Sequence, residues 1–219
     1  MFSQAEENYL KNIYTLQNED VSMVNTNLLA DKMNTKASSV TDMIKKLALK
    51  DLVDYKKYQG VLLTEKGEKV AIDVVRKHRL WEYFLVEKLH YNWDEVHEIA
   101  EQLEHIKSKT LINQLEDFLH FPKFDPHGDP IPDKNGRIPI SNAICLLDLK
   151  VGNVGVLDNV KDTSKSFLNY LNKKNIALGD RIKIIDIEAF DNSVHIETRT
   201  HHMILSKNVA KNLYLKHYK

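Results

Sequence analysis

The chain has 219 residues, which is enough for one large domain or for two or three small ones. Its composition, 42% hydrophobic and 28% charged, is typical of a globular protein in water, and no run of about 18 apolar residues predicts a membrane span. Lysine and arginine balance aspartate and glutamate at 31 each, which excludes a strongly basic or acidic chain; the lone Cys145 excludes an internal disulfide and favours a cytoplasmic protein.

The amino-terminal residues have the order of elements of a winged helix-turn-helix. Apolar residues at helical spacing predict helices over 6–16 and 26–33. The stretch from Ser39 to Asp42 resembles a capping box, so a third helix is expected to begin there and to run to about residue 49. Two β-rich runs on either side of Gln59-Gly60 then predict a hairpin.

In a winged helix-turn-helix the second helix of the motif enters the major groove, and phosphate contacts fix its register. Between Lys32 and Lys57 there are seven lysines and three aspartates, a surplus of four positive charges. The candidate DNA contacts are the hydroxyl and lysine side chains of Lys36, Ser38, Ser39, Thr41, Lys45, Lys46, Lys56 and Lys57. The alternative is a winged helix that contacts only proteins, with the lysines forming a solvated face.

Helices are also predicted over 64–89, from about Asn92 onwards, and over 108–119. The second of these contains HEIAEQLEH at 97–105. Residues three or four apart share one face of a helix, as do Glu101, Glu104 and His105, and likewise His97 and Glu101, whereas Glu98 points elsewhere. A similar pair, His78 and Glu82, lies on the long helix.

Imidazole and carboxylate groups together suit Mn(II) or Fe(II) and, less selectively, Zn(II) or Co(II). A single such pair is more often a surface ion pair. Two helices that both carry such pairs beside aromatic residues make metal binding the favoured interpretation.

All five prolines lie between Pro122 and Pro139, a density that predicts an irregular linker. Beyond it, short β-rich runs at 151–157, 181–187 and 194–198 predict a small β-barrel. The expected fold is therefore mainly α with a small β domain.

Several stretches of the chain resemble the diphtheria toxin repressor family of bacterial metal-dependent transcription regulators. The similar stretches are ENYLKNIYTL (7–16), ASSVTDMIKKLALKDLV (37–53), GVLLTEKGEKVA (60–71), RKHRLWEYFLVEKL (76–89), VHEIAEQLEH (96–105) and HGDPIP (127–132). The resemblance implies a DNA-binding winged helix-turn-helix at 1–65, a helical metal-binding and dimerisation domain at 66–140 that ends in the proline-rich linker, and a FeoA-like small β-barrel at 141–219.

The resemblance also implies two metal sites. The residues that match an ancillary site are His78, Glu82 and His97. The residues that match a primary site are Asn8, Glu101, Glu104 and His105, and Asp162 is the candidate carboxylate from the third domain. Glu101 stands where iron-sensing members have cysteine and manganese-sensing members have glutamate, which favours Mn(II) over Fe(II). Lys11 stands where manganese-sensing members have a second glutamate, and because its ammonium would repel a cation, their two-metal arrangement is not expected.

The function implied by the resemblance is that of a cytoplasmic, homodimeric repressor that binds double-stranded operator DNA and catalyses no reaction. Mn(II) or Fe(II) would be the corepressor, joining the first helix to the dimerisation domain and so favouring the DNA-binding arrangement. Two alternatives are a metallohydrolase that uses the same histidine and glutamate residues, and a metal-binding adaptor without DNA binding.

Overall fold

The computed structural model describes residues 2–18 and 23–217, which form two compact units. The first unit contains Met1–His78, Glu101–Asp117 and Pro132–Ile138, and the second contains Arg79–Ala100, Phe118–Ile131 and Pro139–Lys219. The fold class predicted from the sequence, mainly α with a small β domain, is confirmed. The division into three domains at 65 and 140 stays a prediction, and the compact units cut through its middle segment.

The amino-terminal elements of the first unit form the expected winged helix-turn-helix. They are α1 (Gln4–Asn18), α2 (Thr26–Lys32), α3 (Ala37–Leu49), β1 (Val53–Lys56) and β2 (Gly60–Leu63). The helices pack on a shared apolar core in which Leu10, Ile13 and Ile44 are fully buried. The two strands are antiparallel, and Gly60 has a φ of +131° in a place where an added Cβ would lie 2.7 Å from the Val24 carbonyl oxygen.

Helix α3 begins two residues earlier than the sequence predicts. Its first residue is Ala37, and Lys36 is the N-cap residue, without a capping hydrogen bond from its side chain. The Lys36 carbonyl accepts a hydrogen bond from the Val40 amide at 3.1 Å, which places the intervening residues, Ser39 among them, inside the helix. The expected capping box at Ser39 is therefore absent, and α3 begins at Ala37.

Three further helices follow the wing. They are α4 (Glu65–Leu89), α5 (His97–Leu103) and α6 (Lys109–Phe118). Within the first unit, Arg76 on α4 donates to Glu116 on α6 at 2.8 Å, and both side chains are buried. The helix predicted from about Asn92 onwards begins only at His97; Asn92 Nδ2 instead donates to Glu95 Oε2 at 3.1 Å in the preceding turn.

The second unit is built around an antiparallel sheet in the order β3-β8-β4-β5-β6-β7. The strands are β3 (Ile144–Cys145), β4 (Val154–Val160), β5 (Arg181–Ile187), β6 (Val194–Glu197), β7 (His202–Leu205) and β8 (Leu213–His217). Helices α7 (Lys165–Lys173) and α8 (Lys207–Ala210) bury residues that include Leu168 and Ala210 in the core of this unit. The sequence predicted β4, β5 and β6 but not the other three strands.

The proline-rich segment has no helix, as expected, but backbone hydrogen bonds hold its first half in a defined conformation. The Val160 amide donates to the His127 carbonyl oxygen at 2.9 Å, which attaches this segment to β4. At Gly128 the φ is +89°, and an added Cβ would lie 2.0 Å from the Asp158 carbonyl oxygen. Only glycine fits this close approach of two backbones.

Among the helices in the described part of the chain, none has the length and apolar character that a membrane span requires.

Glu6 anchors the start of α1. The Ser3 amide donates to Glu6 Oε2 at 3.1 Å, and the Glu6 amide donates to Ser3 Oγ at 3.3 Å, so a capping box stands at this helix. Glu6 Oε1 also accepts from Lys50 at 2.6 Å and pairs with Lys46 at 3.0 Å. Burial opposes ionisation, but the hydrogen bonds from Lys50, Ser3 and Lys46 outweigh it and lower the Glu6 pKa to about 2.

We expect Glu6→Gln to lower the free energy of unfolding at pH 7 by about 1–3 kcal/mol, because a charge-assisted hydrogen-bond network is lost. The folded-state pKa lies below the ordinary value of 4.5, so ionised Glu6 stabilises the fold above pH 4.5 and this contribution is lost as the pH falls towards 2. Urea titrations of wild type and variant at pH 7 and at pH 3 measure the difference, which should shrink at pH 3. Glu68→Gln, at an exposed helical glutamate, is the control, and a Glu6 effect equal to that of Glu68 would contradict the assignment.

Candidate metal centres and nucleic-acid interface

Three buried side chains of the second unit form a group that could hold a metal ion. They are Glu82 from α4 and, from the proline-rich segment, Asp125 and His127; we call them the buried ligand group. Each offers one ligand atom, and these atoms all lie within 4.8 Å of one another. One imidazole nitrogen and carboxylate oxygens form a donor set that suits Mn(II) or Fe(II).

The ring of His127 is oriented by the backbone. Its Nε2 lies 2.8 Å from the Trp93 carbonyl oxygen, which can only accept, so Nε2 carries a hydrogen. In the neutral ring this leaves the lone pair on Nδ1, which lies 3.7 Å from Glu82 Oε2. A histidine held in this way through its other nitrogen is the arrangement that metal-binding histidines usually show. Burial opposes protonation, but the adjacent Glu82 carboxylate and the charge of Asp125 raise the His127 pKa to about 9.

The buried ligand group holds two buried carboxylates, those of Glu82 and Asp125. Burial, together with the carboxylates of Asp129 and Glu82, raises the Asp125 pKa to about 7 against the opposing effects of His127 and Arg79. Asp125 Oδ1 accepts from two backbone amides, at 2.8 and 3.0 Å, which fixes the carboxylate in place. Mutual repulsion among fixed, buried carboxylates is relieved by a divalent cation, so this group fits a metal ion.

The three residues of the predicted ancillary site, His78, Glu82 and His97, each offer one ligand atom, and these atoms all lie within 4.8 Å of one another, with His97 Nδ1 3.3 Å from Glu82 Oε1. His78 lies one helical turn before Glu82 on α4, and its Nδ1 also lies 2.7 Å from Glu104 Oε2. Asp162 is outside the buried ligand group; its Oδ1 accepts from the Ser164 amide at 2.9 Å in a turn before α7. The roles of His78, His97 and Asp162 as ligands stay predictions.

A second group surrounds Glu104 in the first unit, and a lysine lies in its centre. Lys11 Nζ on α1 is 3.0 Å from Glu101 Oε1, and it is 2.8 and 2.9 Å from the two carboxylate oxygens of Glu104. With His78 these residues form what we call the lysine-centred group. Burial opposes ionisation of Glu104, but His78 and Lys11 outweigh it and lower the Glu104 pKa. The carboxylates therefore already hold a cation, and with the ammonium in place this group does not fit a metal ion.

The other predicted primary-site residues adjoin the lysine-centred group. His105 Nδ1 lies 2.7 Å from Glu7 Oε2, while its Nε2 faces Glu104 Oε1 at 3.7 Å. The Oδ1 of Asn8 is buried without a hydrogen-bond partner. The sequence predicts one helical face for Glu101, Glu104 and His105, but α5 ends at Leu103 and the last two lie in the turn after it. The assignment of Asn8, Glu101, Glu104 and His105 as metal ligands stays a prediction.

The candidate DNA contacts fall into two classes. Exposed side chains at the start of α3, farther along it and on the wing are those of Lys36, Ser38, Ser39, Lys45, Lys56 and Lys57. Two others are engaged internally: Thr41 Oγ1 donates to the Ala37 carbonyl oxygen, and Lys46 pairs with Glu6. The sequence interpretation missed Tyr58 at the wing tip, which is 93% exposed with Lys57 Nζ 4.9 Å from its ring centroid.

Three family models match consecutive parts of the chain. The iron-dependent repressor N-terminal DNA-binding domain matches residues 1–61, and the iron-dependent repressor metal-binding and dimerisation domain matches 64–133. The FeoA domain matches residues 144–217.

Individual relatives have similar descriptions. The iron-dependent repressor IdeR of Mycobacterium tuberculosis is 34% identical over 126 residues, 58% of this chain and 54% of that protein, so the chain spans about half the length of this relative. The HTH-type transcriptional regulator MntR of Oceanobacillus iheyensis is 34% identical over 57% of this chain and 84% of its own length. A solved manganese-dependent transcriptional repressor in complex with manganese superposes with a TM-score of 0.89 at 34% identity, covering 97% of this chain and 100% of that one.

We expect chelator-treated protein to bind Mn(II), and Asp125→Asn to weaken that binding at least about tenfold, because one fixed carboxylate of the buried ligand group is lost. Isothermal titration calorimetry at pH 7.5 measures the affinity. His202→Ala, at an exposed histidine in the same unit, is the control and should bind as wild type does. Equal affinities for wild type and Asp125→Asn would show that the metal binds elsewhere.

Proposed function

Because the chain belongs to the iron-dependent repressor family of metal-responsive transcription regulators, we propose that it represses transcription by binding operator DNA as a homodimer when Mn(II) or Fe(II) is bound. The observation that carries the proposal is that one chain has exposed lysine and hydroxyl side chains on α3 and the β1–β2 wing together with a buried group of side chains that could hold a metal ion.

The DNA-binding part of the proposal rests on α3 and the wing. The side chains at the amino-terminal end of α3 are small, polar and exposed, as contacts to base edges require. Lys45 is 63% exposed and only loosely paired with Asp42 at 3.8 Å, so it can reach a phosphate. On the wing, Lys57 and Tyr58 are exposed together, and a phosphate contact there would fix the register of α3.

The metal-responsive part rests on the buried ligand group. A divalent cation held there would be coordinated by the carboxylates of Glu82 and Asp125 and by the imidazole of His127. Asp125 and His127 come from the proline-rich segment and Glu82 comes from α4, so the group joins two elements of the second unit. Helix α4 also carries His78 one turn earlier, and His78 pairs with Glu104 of the lysine-centred group. The same helix therefore contributes to the group that would sense the metal and to the group that holds α1.

The family is one of transcriptional repressors, which are not enzymes. This favours a repressor over a metallohydrolase that uses the same histidine and glutamate residues. An adaptor without DNA binding is disfavoured by the exposed lysines and hydroxyls that accumulate on α3 and the wing. Regulation of transcription further implies a cytoplasmic location and control of genes for metal homeostasis.

We expect Mn(II) to tighten binding to a promoter fragment recovered by selection from genomic DNA, by at least tenfold over chelated protein, because the metal favours the DNA-binding state. Asp125→Asn should abolish this gain while the protein remains a dimer by sedimentation. Fluorescence anisotropy with labelled fragment measures both. Binding of equal strength with and without Mn(II) would refute metal-dependent repression.

We expect Lys45→Ala to weaken binding to every DNA sequence alike and to lower the slope of log K against log salt concentration by about one, because one phosphate contact is lost. Anisotropy titrations from 50 to 300 mM salt measure the slope. Lys183→Ala on β5, on the sheet of the second unit, is the matched control and should leave it unchanged. An unaltered slope for Lys45→Ala would exclude a phosphate contact at this position.

A further inference from the structure

Lys11 lies where the carboxylates of Glu101 and Glu104 converge, and we propose that its ammonium is the resident cation of this site, which therefore takes no metal ion in the native chain. The inference deepens the proposed function, on which it rests in part, because it assigns the metal response to the buried ligand group. It also makes the attachment of α1 independent of metal.

The position of Lys11 Nζ is that of a bound cation. Three carboxylate oxygens, one from Glu101 and two from Glu104, lie 2.8 to 3.0 Å from it. The ammonium donates hydrogen bonds to Glu101 Oε1 and Glu104 Oε2, whereas Glu104 Oε1, at 2.8 Å, is in ion-pair contact without a hydrogen bond. The Lys11 side chain is 11% exposed and that of Glu104 is not exposed at all, so water contributes little to solvating the pair.

The charge of the site argues against a metal ion beside the ammonium. Lys11 supplies one positive charge to the two negative charges of Glu101 and Glu104, and the imidazole of His78 is 2.7 Å from the same Glu104 carboxylate. A divalent ion among these oxygens would lie close to the ammonium, where repulsion in a poorly solvated site is strong. Displacing the ammonium instead would strip a buried lysine of the carboxylates that compensate its charge.

The consequence for the fold is a permanent attachment. Lys11 belongs to α1 of the winged helix-turn-helix, whereas Glu101 lies in the last turn of α5 and Glu104 follows that helix. A metal ion in this position could be removed by a chelator or by scarcity. A lysine side chain is covalently part of α1 and cannot be removed, so this contact persists at any metal concentration.

The test counts Mn(II) ions per chain in the full-length protein. Equilibrium dialysis with metal analysis compares wild type with Lys11→Met, which keeps an unbranched side chain of similar length but removes the charge, and with Lys11→Arg, which keeps the charge. We expect Lys11→Met to bind one more equivalent than wild type, and Lys11→Arg to bind the wild-type number. No additional equivalent in folded Lys11→Met would overturn the proposal.

A second measurement does not depend on the folding of a Lys11 variant. In Asp125→Asn/His127→Ala the buried ligand group is disabled and the lysine-centred group is intact, and we expect less than half an equivalent of Mn(II) at concentrations that saturate wild type. A full equivalent that disappears on adding Glu104→Gln would show metal binding beside Lys11 and would overturn the proposal. The dialysis experiment contains no DNA, so a result that overturns the Lys11 proposal does not contradict metal-dependent repression. Metal-dependent repression is tested separately, by the promoter-binding assay.

Hydrogen exchange separates a cation role from a merely structural one. In wild type, amide protection of α1 and of residues 101–105 should be the same in chelator and in Mn(II). In Lys11→Met the protection should fall in chelator and be recovered, at least in part, with Mn(II). Loss of protection that Mn(II) does not recover would mean that Lys11 only fills space, and would contradict the proposal.

Discussion

The carboxylate of Glu104 is the constraint on which the first unit depends. It is fully buried, and a buried charge must be compensated by partners that are buried with it. Lys11 and His78 provide that compensation, one from α1 and the other from α4. A single side chain thus holds the amino-terminal helix and the long helix beside the turn that follows α5. In this chain the compensating charge belongs to the polypeptide itself.

Glu82 is also buried, but its surroundings are different. Its neighbours are two imidazoles, of His97 and His127, together with the further carboxylate of Asp125. Imidazole nitrogens and carboxylate oxygens are donors to a divalent ion, whereas an ammonium is itself a cation. The first group is therefore compensated by a charge of the polypeptide, and the second could be compensated by a divalent ion. This contrast supports the proposed structural role of the first group and the proposed sensing role of the second.

Helical periodicity identified most of the fold, because α1, α4 and α6 each bury a continuous apolar face. The missed strands β3, β7 and β8 are short, and β8 interleaves lysine and histidine with its apolar residues, so no clear alternation marks them. The candidate metal ligands also include some that the sequence pattern reveals and some that it does not. Side chains on α4 and α5 were found from their spacing, whereas Asp125 and His127 lie in irregular backbone more than 40 residues from Glu82, and no periodic spacing connects them. The charge of Lys11 is enough to predict from the sequence that it would repel a metal ion. The position of its Nζ between two carboxylates depends on the packing of α1 and is visible only in the structure.

The contact at Gly128 has a consequence for the choice of metal. Its backbone lies against that of Asp158, and the adjacent His127 carbonyl accepts from Val160 on β4. The segment that contains Asp125 and His127 is therefore hydrogen-bonded to β4. It is also hydrogen-bonded internally, because the His127 and Asp129 amides donate to Asp125 Oδ1. Donors held in this way have little freedom to move, so a metal ion bound there would be selected by its radius as well as by donor preference.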